Sequence, residues 1–174
     1  MTVRRRLVLA LAVMFLMTAC GAGASTESSS QQPAPPASQS SQQPTLTATT
    51  LDGAAFDFAS LSGQPTVLWF WAPWCTICRA EAPEIAKVAA QLGTDVQVLG
   101  IPGRGDRPDM KKFVADTGLG DVTHVVDADG QIWSRFGVVE QPAFAFIDAA
   151  GDVEVVQGTM SGEEFESAAR ALLS

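Results

Sequence analysis

Apolar and polar residues beyond position 45 follow the periods of strands and helices in turn. Four runs predict strands, at residues 66–71, 96–101, 122–126 and 153–156. The first of these is apolar almost throughout, as expected of a central strand that is covered on both faces. Apolar residues at helical spacing predict a long helix that ends at Gly93, a second helix that Asp106 caps and a last helix that Ser161 caps.

A hairpin is predicted before the first buried strand. Residues 46–50 and 55–58 carry alternating side chains, and the dipeptide Asp52-Gly53 between them is favoured in tight hairpin turns. Strands that alternate with helices indicate an α/β architecture. The sequence therefore predicts one α/β domain over residues 45–174, with the hairpin added at its N-terminal side.

The first 19 residues have the composition of an export signal. Arginines at positions 4–6 precede an apolar stretch, residues 7–17, that is too short to span a bilayer as a mature helix. The small residues before Cys20 resemble a bacterial lipobox, in which the cysteine is acylated and becomes the new N-terminus. We therefore expect residues 1–19 to be a lipoprotein signal peptide and Cys20 to be the lipid attachment site. Cleavage as an ordinary secretory signal is the alternative.

Residues 20–44 are rich in Ser, Gln, Pro and Ala and hold hardly any bulky apolar side chain. Such a segment cannot bury enough surface to offset the entropy of ordering, so we expect a disordered tether. The chain has a formal net charge of −8, and loss of the three leader arginines changes it to −11. This acidity argues against nucleic acid and against electrostatic adhesion to anionic lipid. Membrane attachment would rest on the acyl chains of Cys20.

With Cys20 acylated, Cys75 and Cys78 are the cysteines that remain in the exported chain. They lie three residues apart at the start of the first long helix, within bonding reach of one another. Unpaired N–H groups and a partial positive charge at a helix start favour a thiolate. Half of a zinc site is the alternative, but His124 and the leader's Cys20 cannot complete a closed tetrahedral site. We therefore predict a redox pair and no metal.

Two motifs carry a family resemblance. The Trp-Cys-x-x-Cys motif that ends at Cys78 follows an apolar strand and resembles the active site of the thioredoxin superfamily. The run Cys-Arg-Ala-Glu-x-Pro, which ends at Pro83, is similar to the TlpA/ResA/DsbE-like extracytoplasmic branch. The motif Gly-Val-x-x-x-Pro, which ends at Pro142, resembles the second signature of the superfamily. The resemblance implies the thioredoxin fold, a central mixed β-sheet flanked by helices, with an added N-terminal hairpin.

The resemblance also implies roles for individual residues. Cys75, the more exposed cysteine, is expected to be the nucleophile, and Cys78 is expected to resolve the mixed disulfide without any cofactor. Trp74, Gln141 and Pro142 are expected to dock an extended substrate backbone, and the Gln141–Pro142 bond is expected to be cis. A trans proline at the first residue of a strand is the alternative.

Departures from the family pattern bear on the direction of electron flow. Trp69 stands where cytoplasmic thioredoxins have a buried Asp that takes the proton of the resolving thiol. Glu81, one turn after Cys78, could serve instead, but its position predicts a solvated residue on the helix surface. Ala143 follows the signature proline where cytochrome-maturation reductases often have Glu. In lacking these two acidic residues, the chain resembles the actinobacterial DsbE/DsbF-type lipoproteins. That resemblance implies an oxidase.

The sequence thus predicts an extracytoplasmic thiol-disulfide oxidoreductase that is lipid-anchored to the cell membrane and donates disulfides to exported proteins. One alternative is a reductase of the ResA, cytochrome c maturation type. A minor alternative is a non-enzymatic or copper-binding lipoprotein of the same fold, with His124 as the candidate ligand. The expected partners are exported proteins with thiols or disulfides and a membrane redox partner. We expect a monomer that does not bind nucleic acid.

Overall fold

The computed structural model describes residues 46–174, which form a seven-stranded mixed sheet with helices on both faces. The strands are β1 (Thr47–Thr50), β2 (Ala55–Asp57), β3 (Thr66–Trp71), β4 (Gln97–Pro102), β5 (Thr123–Val126), β6 (Ala143–Ile147) and β7 (Val153–Gln157). The α-helices are α1 (Thr76–Leu92), α2 (Arg107–Thr117), α3 (Gln131–Arg135) and α4 (Gly162–Ala171), and a short 3₁₀ helix covers Phe58–Leu61. Every strand predicted from the sequence is present.

The strands lie in the order β2-β1-β5-β4-β3-β6-β7. β3 pairs in parallel with β4 and antiparallel with β6, and therefore lies in the interior of the sheet. β4 pairs in parallel with β5, and β6 pairs antiparallel with β7. The hairpin joins at the other side, where β1 pairs antiparallel with β5. This topology confirms the predicted thioredoxin fold with an N-terminal hairpin.

Strand β3 divides its side chains between two cores on opposite faces of the sheet. Val67, Trp69 and Trp71 pack with apolar residues of α1, α2 and α4. Leu68 and Phe70 pack on the other face, with apolar residues of β4, β6 and α3. All six residues of β3 are buried, which confirms that the strand is covered on both faces. Core packing is thus the role of both tryptophans in this strand.

Helix α3 is absent from the sequence prediction. The buried carboxylate of Asp127 accepts the backbone N–H groups of Ile132 at 3.1 Å and of Trp133 at 2.9 Å. It thereby satisfies two donors at the start of a helix that is only five residues long. Five residues are too few for a helical period to show in the sequence.

Some predictions lie outside the described residues: the signal peptide at 1–19, lipid attachment at Cys20 and the tether at 20–44. From residue 46 onward, no helix is both long enough and apolar enough to cross a membrane.

Candidate active site

The Cys75–Cys78 disulfide lies where β3 leads into α1. The two Cα atoms are 5.3 Å apart. Cys75 is the N-cap residue of α1, and its Sγ accepts the backbone N–H of Cys78 at 3.1 Å. After reduction, this N–H and the positive end of a 17-residue helix would both act on the Cys75 sulfur. Both favour a thiolate there.

Solvent reaches the two cysteines unequally. Cys75 is 6% exposed and Cys78 is 0% exposed, so an incoming sulfur can reach only Cys75. The predicted order of exposure is therefore confirmed. Cys75 is nevertheless largely buried and packs into the core that α1 covers. The exposed surface around it comes from its neighbours Trp74, at 58%, and Ile77, at 53%.

The Gln141–Pro142 peptide bond is cis, as the sequence predicts. Strand β6 begins at the next residue, Ala143, which pairs with Phe70 near the end of β3. The cis bond therefore lies at the same end of the sheet as the start of α1. Pro142 itself is buried, whereas Val139 in the preceding loop is 73% exposed.

Arg104 connects the predicted docking residues, although sequence reasoning missed it. Its backbone carbonyl accepts the indole N–H of Trp74 at 2.7 Å. Its guanidinium donates to Gln141 Oε1 at 3.1 Å and to the carbonyl oxygen of Val139 at 2.9 Å. The glycines on either side of Arg104 indicate a tight loop but say nothing of these partners.

Glu81 is buried, so the prediction of a solvated glutamate is wrong. The segment between β7 and α4 covers it: Glu81 Oε1 accepts the hydroxyl of Thr159 and, at 3.1 Å, the backbone N–H of Met160. Burial raises the pKa of the Glu81 carboxyl, and these hydrogen bonds oppose the rise. The sequence contains one signal of this placement: Glu81 lies three residues after Cys78, and residues three apart share a helix face.

His124 lies in β5 as a core residue. Its ring packs edge-on against Trp71, with the ring centroids 5.5 Å apart, and its Nε2 lies 3.3 Å from the carbonyl oxygen of Leu119. Burial lowers the pKa of His124 to about 4, which keeps the imidazole neutral near pH 7. Among residues 46–174, no group of three His, Cys, Asp or Glu side chains is arranged to hold a metal ion.

Comparison with known proteins places this chain among thioredoxin-like oxidoreductases. The profile of the AhpC/TSA family matches residues 40–156. The soluble secreted antigen MPT53 of Mycobacterium tuberculosis is 47% identical over 132 residues, which cover 74% of this chain and 75% of that protein. The thiol:disulfide interchange protein DsbE of Yersinia pestis is 34% identical over 100 residues, or 57% of this chain and 52% of DsbE.

Solved structures support the same placement. Mycobacterium tuberculosis dsbF, in mixed oxidized and reduced forms, superposes with a TM-score of 0.72 at 44% identity, covering 74% of this chain and 95% of that one. A secreted disulfide oxidoreductase of the same organism, described as homologous to E. coli DsbE, gives a TM-score of 0.69 at 46% identity, with coverage of 73% and 96%. The chain belongs to the AhpC/TSA family of thioredoxin-fold proteins and is a thiol-disulfide oxidoreductase of its DsbE/DsbF-type branch.

Proposed function

We propose that this protein is an extracytoplasmic disulfide oxidase that transfers its Cys75–Cys78 disulfide to the thiols of exported proteins. The observation that carries the direction is the N-cap position of Cys75, whose Sγ receives the Cys78 N–H at 3.1 Å at the start of α1. The start of α1 and the N–H of Cys78 both stabilise the thiolate that Cys75 forms on reduction. An oxidant is a protein whose reduced form is stabilised in this way.

The transfer takes place in two exchanges. A client thiolate attacks Sγ of Cys75; a mixed disulfide forms while the Cys75–Cys78 bond breaks, and the electron pair passes to Sγ of Cys78. A second client thiolate attacks the client sulfur of the mixed disulfide, and Cys75 leaves as a thiolate. The client dithiol loses two electrons and two protons; the protein gains both electrons, Cys78 ends as a thiol and Cys75 as a thiolate, and the second proton passes to solvent. A membrane redox partner would then take up the two electrons.

Cys78 needs a proton during the first exchange. It is fully buried, and an unpaired thiolate is costly away from water. The carboxyl of Glu81, whose pKa is raised by burial, lies one helical turn further along α1. We assign Glu81 the role of supplying this proton, and of taking it back when the disulfide forms again.

The same carboxylate favours a second candidate, a reductase. One sequence argument for an oxidase is that no buried acid serves the resolving cysteine, yet the structure has Glu81 buried on the face of α1 that carries Cys78. A buried acid that accepts the resolving thiol's proton also suits reduction of client disulfides. The argument from the residue after the cis proline is unaffected, since Ala143 occupies that position.

The reduction potential decides between the two candidates. The purified protein is equilibrated with glutathione buffers, and the thiol fraction of Cys75 and Cys78 is measured by alkylation and mass spectrometry. A potential near that of strong periplasmic oxidants, about −120 mV, together with reactivation of reduced, denatured ribonuclease, is expected for the oxidase. A value near that of thioredoxin, about −270 mV, would refute the oxidase and support the reductase.

The proposed location rests on the N-terminal sequence and on the relatives. Residues 1–19 have the features of a lipoprotein signal peptide, Cys20 is the proposed lipid attachment site, and residues 20–44 are the proposed tether. MPT53 and the DsbE homologue are described as secreted. We therefore propose that the domain lies outside the cytoplasmic membrane and is anchored to it by lipid.

A further inference from the structure

We propose that Arg104 is a positioning residue that holds the two sides of the expected client-docking surface at a fixed separation. One side of this surface is Trp74, next to Cys75 in the chain, and the other is the segment from Val139 to Pro142. The inference rests on the proposed reaction with protein clients, but it holds for either direction of electron flow.

The backbone of Arg104 fixes the first side. Its carbonyl receives the indole N–H of Trp74 at 2.7 Å, which orients an otherwise exposed ring next to the disulfide. Arg104 has a φ of 54°, in the left-handed region that arginine rarely adopts. A side chain in place of Gly105 would overlap the ring of Pro73, so this loop packs directly on the segment that precedes Cys75.

The side chain of Arg104 fixes the second side. Its guanidinium donates to the carbonyl of Val139 at 2.9 Å and to Gln141 Oε1 at 3.1 Å, immediately before the cis bond. It also stacks over the ring of Trp133, 4.7 Å from the centroid. Trp133 is itself held in the core by a hydrogen bond from its indole N–H to the carbonyl of Ile101, at 3.1 Å. The planar fork of an arginine suits these partners, whereas lysine offers a point charge.

This arrangement separates docking from thiol chemistry. A polypeptide client must fit between Trp74 and residues 139–142 while its sulfur approaches Cys75, so its rate depends on the geometry of both sides. A small dithiol such as dithiothreitol needs only the accessible sulfur. The hydrogen bonds of Arg104 go to Val139, Gln141 and Trp74 rather than to either sulfur, so the reduction potential should not depend on them.

The test compares two rates in the whole protein. Arg104→Ala is expected to slow exchange with a cysteine-containing peptide about tenfold, because a displaced docking surface no longer orients the peptide's sulfur toward Cys75. Its rate of exchange with dithiothreitol and its equilibrium constant with glutathione should each stay within about twofold of the wild-type value. The peptide-exchange rate of Arg104→Lys should fall between the rates of the wild type and Arg104→Ala. Arg170→Ala, which removes an arginine paired with Glu166 on α4, is the matched control.

Arg104→Gly is a second variant for the case in which the alanine variant does not fold. Glycine adopts the positive φ of this position and lacks the guanidinium. This variant should show the same selective loss. Equal slowing toward peptide and dithiothreitol, a shifted potential or unchanged peptide exchange in the folded variants would each overturn the role of Arg104. A wild-type protein that exchanges with dithiothreitol but with no cysteine peptide would overturn the proposed function as well.

Discussion

At the scale of single residues, the chemistry of the site follows from how little of each cysteine is accessible. Cys75 presents a 6% exposed surface, and Cys78 presents none. Reactivity toward an external reagent therefore has to begin at Cys75, whatever the direction of electron flow. The N-cap position adds thiolate stabilisation at that same residue.

Alkylation of the reduced protein tests this order. With limiting iodoacetamide near neutral pH, we expect the label almost entirely on Cys75, because only that sulfur is both accessible and stabilised as a thiolate. Peptide mapping by mass spectrometry gives the ratio, and the denatured protein, in which both thiols are free, is the control. Preferential labelling of Cys78 in the folded protein would contradict the assignment.

Glu81 should matter for the proton of Cys78. Glu81→Gln keeps an oxygen that can accept from Thr159 and Met160 but cannot titrate. We expect single-turnover exchange near pH 7 to slow by at least about tenfold, at the low end of what general acid–base catalysis contributes, and its pH dependence to flatten. Stopped-flow fluorescence measures both. Glu84→Gln on the exposed face of α1 is the control, and equal behaviour of the two variants would remove Glu81 from the mechanism.

His124 should make the fold sensitive to acid. Its pKa is lowered by burial to about 4, whereas an unfolded histidine titrates near 6.5. Above pH 6.5 the imidazole is neutral in both states and contributes no pH dependence. As the pH falls from 6.5 to 4, the unfolded chain binds a proton that the folded chain excludes, so stability is lost, by about 3 kcal/mol at most.

Urea unfolding at pH 7 and pH 4 checks the sign and size of this effect. His124 is the one histidine of the chain, so the titration of the carboxylates is common to the wild type and His124→Gln. We expect the variant to be the less stable protein at pH 7 but to lose less stability on acidification. A difference between the two proteins that does not change with pH would show that His124 is not buried in neutral form.

At the scale of elements, side chains far apart in sequence fasten the added hairpin to the domain. Arg107, the first residue of α2, donates to the carbonyls of Thr50 and Leu51 at 2.6 and 2.9 Å and to Thr49 Oγ1 at 3.0 Å. These contacts close the turn between β1 and β2 against the helix. They supplement the pairing of β1 with β5, which covers only a short register.

Loss of this connection should destabilise the hairpin more than the rest of the sheet. Arg107→Ala is expected to lower the free energy of unfolding by about 2 kcal/mol, the usual cost of charged hydrogen bonds to backbone carbonyls. Amide exchange in β1 and β2 should accelerate more than exchange in β3. Lys111→Ala, an exposed cation on the same helix, is the control, and an equal effect of both variants would contradict a specific role for Arg107.

At the scale of the whole molecule, local patterns were enough for the sheet but not for contacts between distant segments. The continuous apolar run of β3 and the capping residues Asp106 and Ser161 define elements without any knowledge of their neighbours. The predicted exposure of Glu81 is wrong because its burial depends on the Thr159–Met160 segment, nearly 80 residues later. Arg104 escaped notice for the same reason, since its partners lie some 30 residues away on either side.

The prediction that belongs to the whole chain concerns its attachment, since Cys20 lies outside the described domain that carries the redox pair. An acidic chain is repelled by anionic head groups, so two or more acyl chains at Cys20 would have to supply the membrane affinity. Cys20→Ala should therefore move the protein from the membrane fraction to soluble or unprocessed forms and abolish incorporation of labelled palmitate, while Cys75→Ser, which removes a cysteine of the redox pair, should leave both unchanged. Fractionation and mass spectrometry of the mature N-terminus measure this. A native N-terminus that begins downstream of Cys20 without acylation would replace the anchor with simple secretion, and the oxidoreductase would then reach its clients by diffusion rather than at the membrane surface.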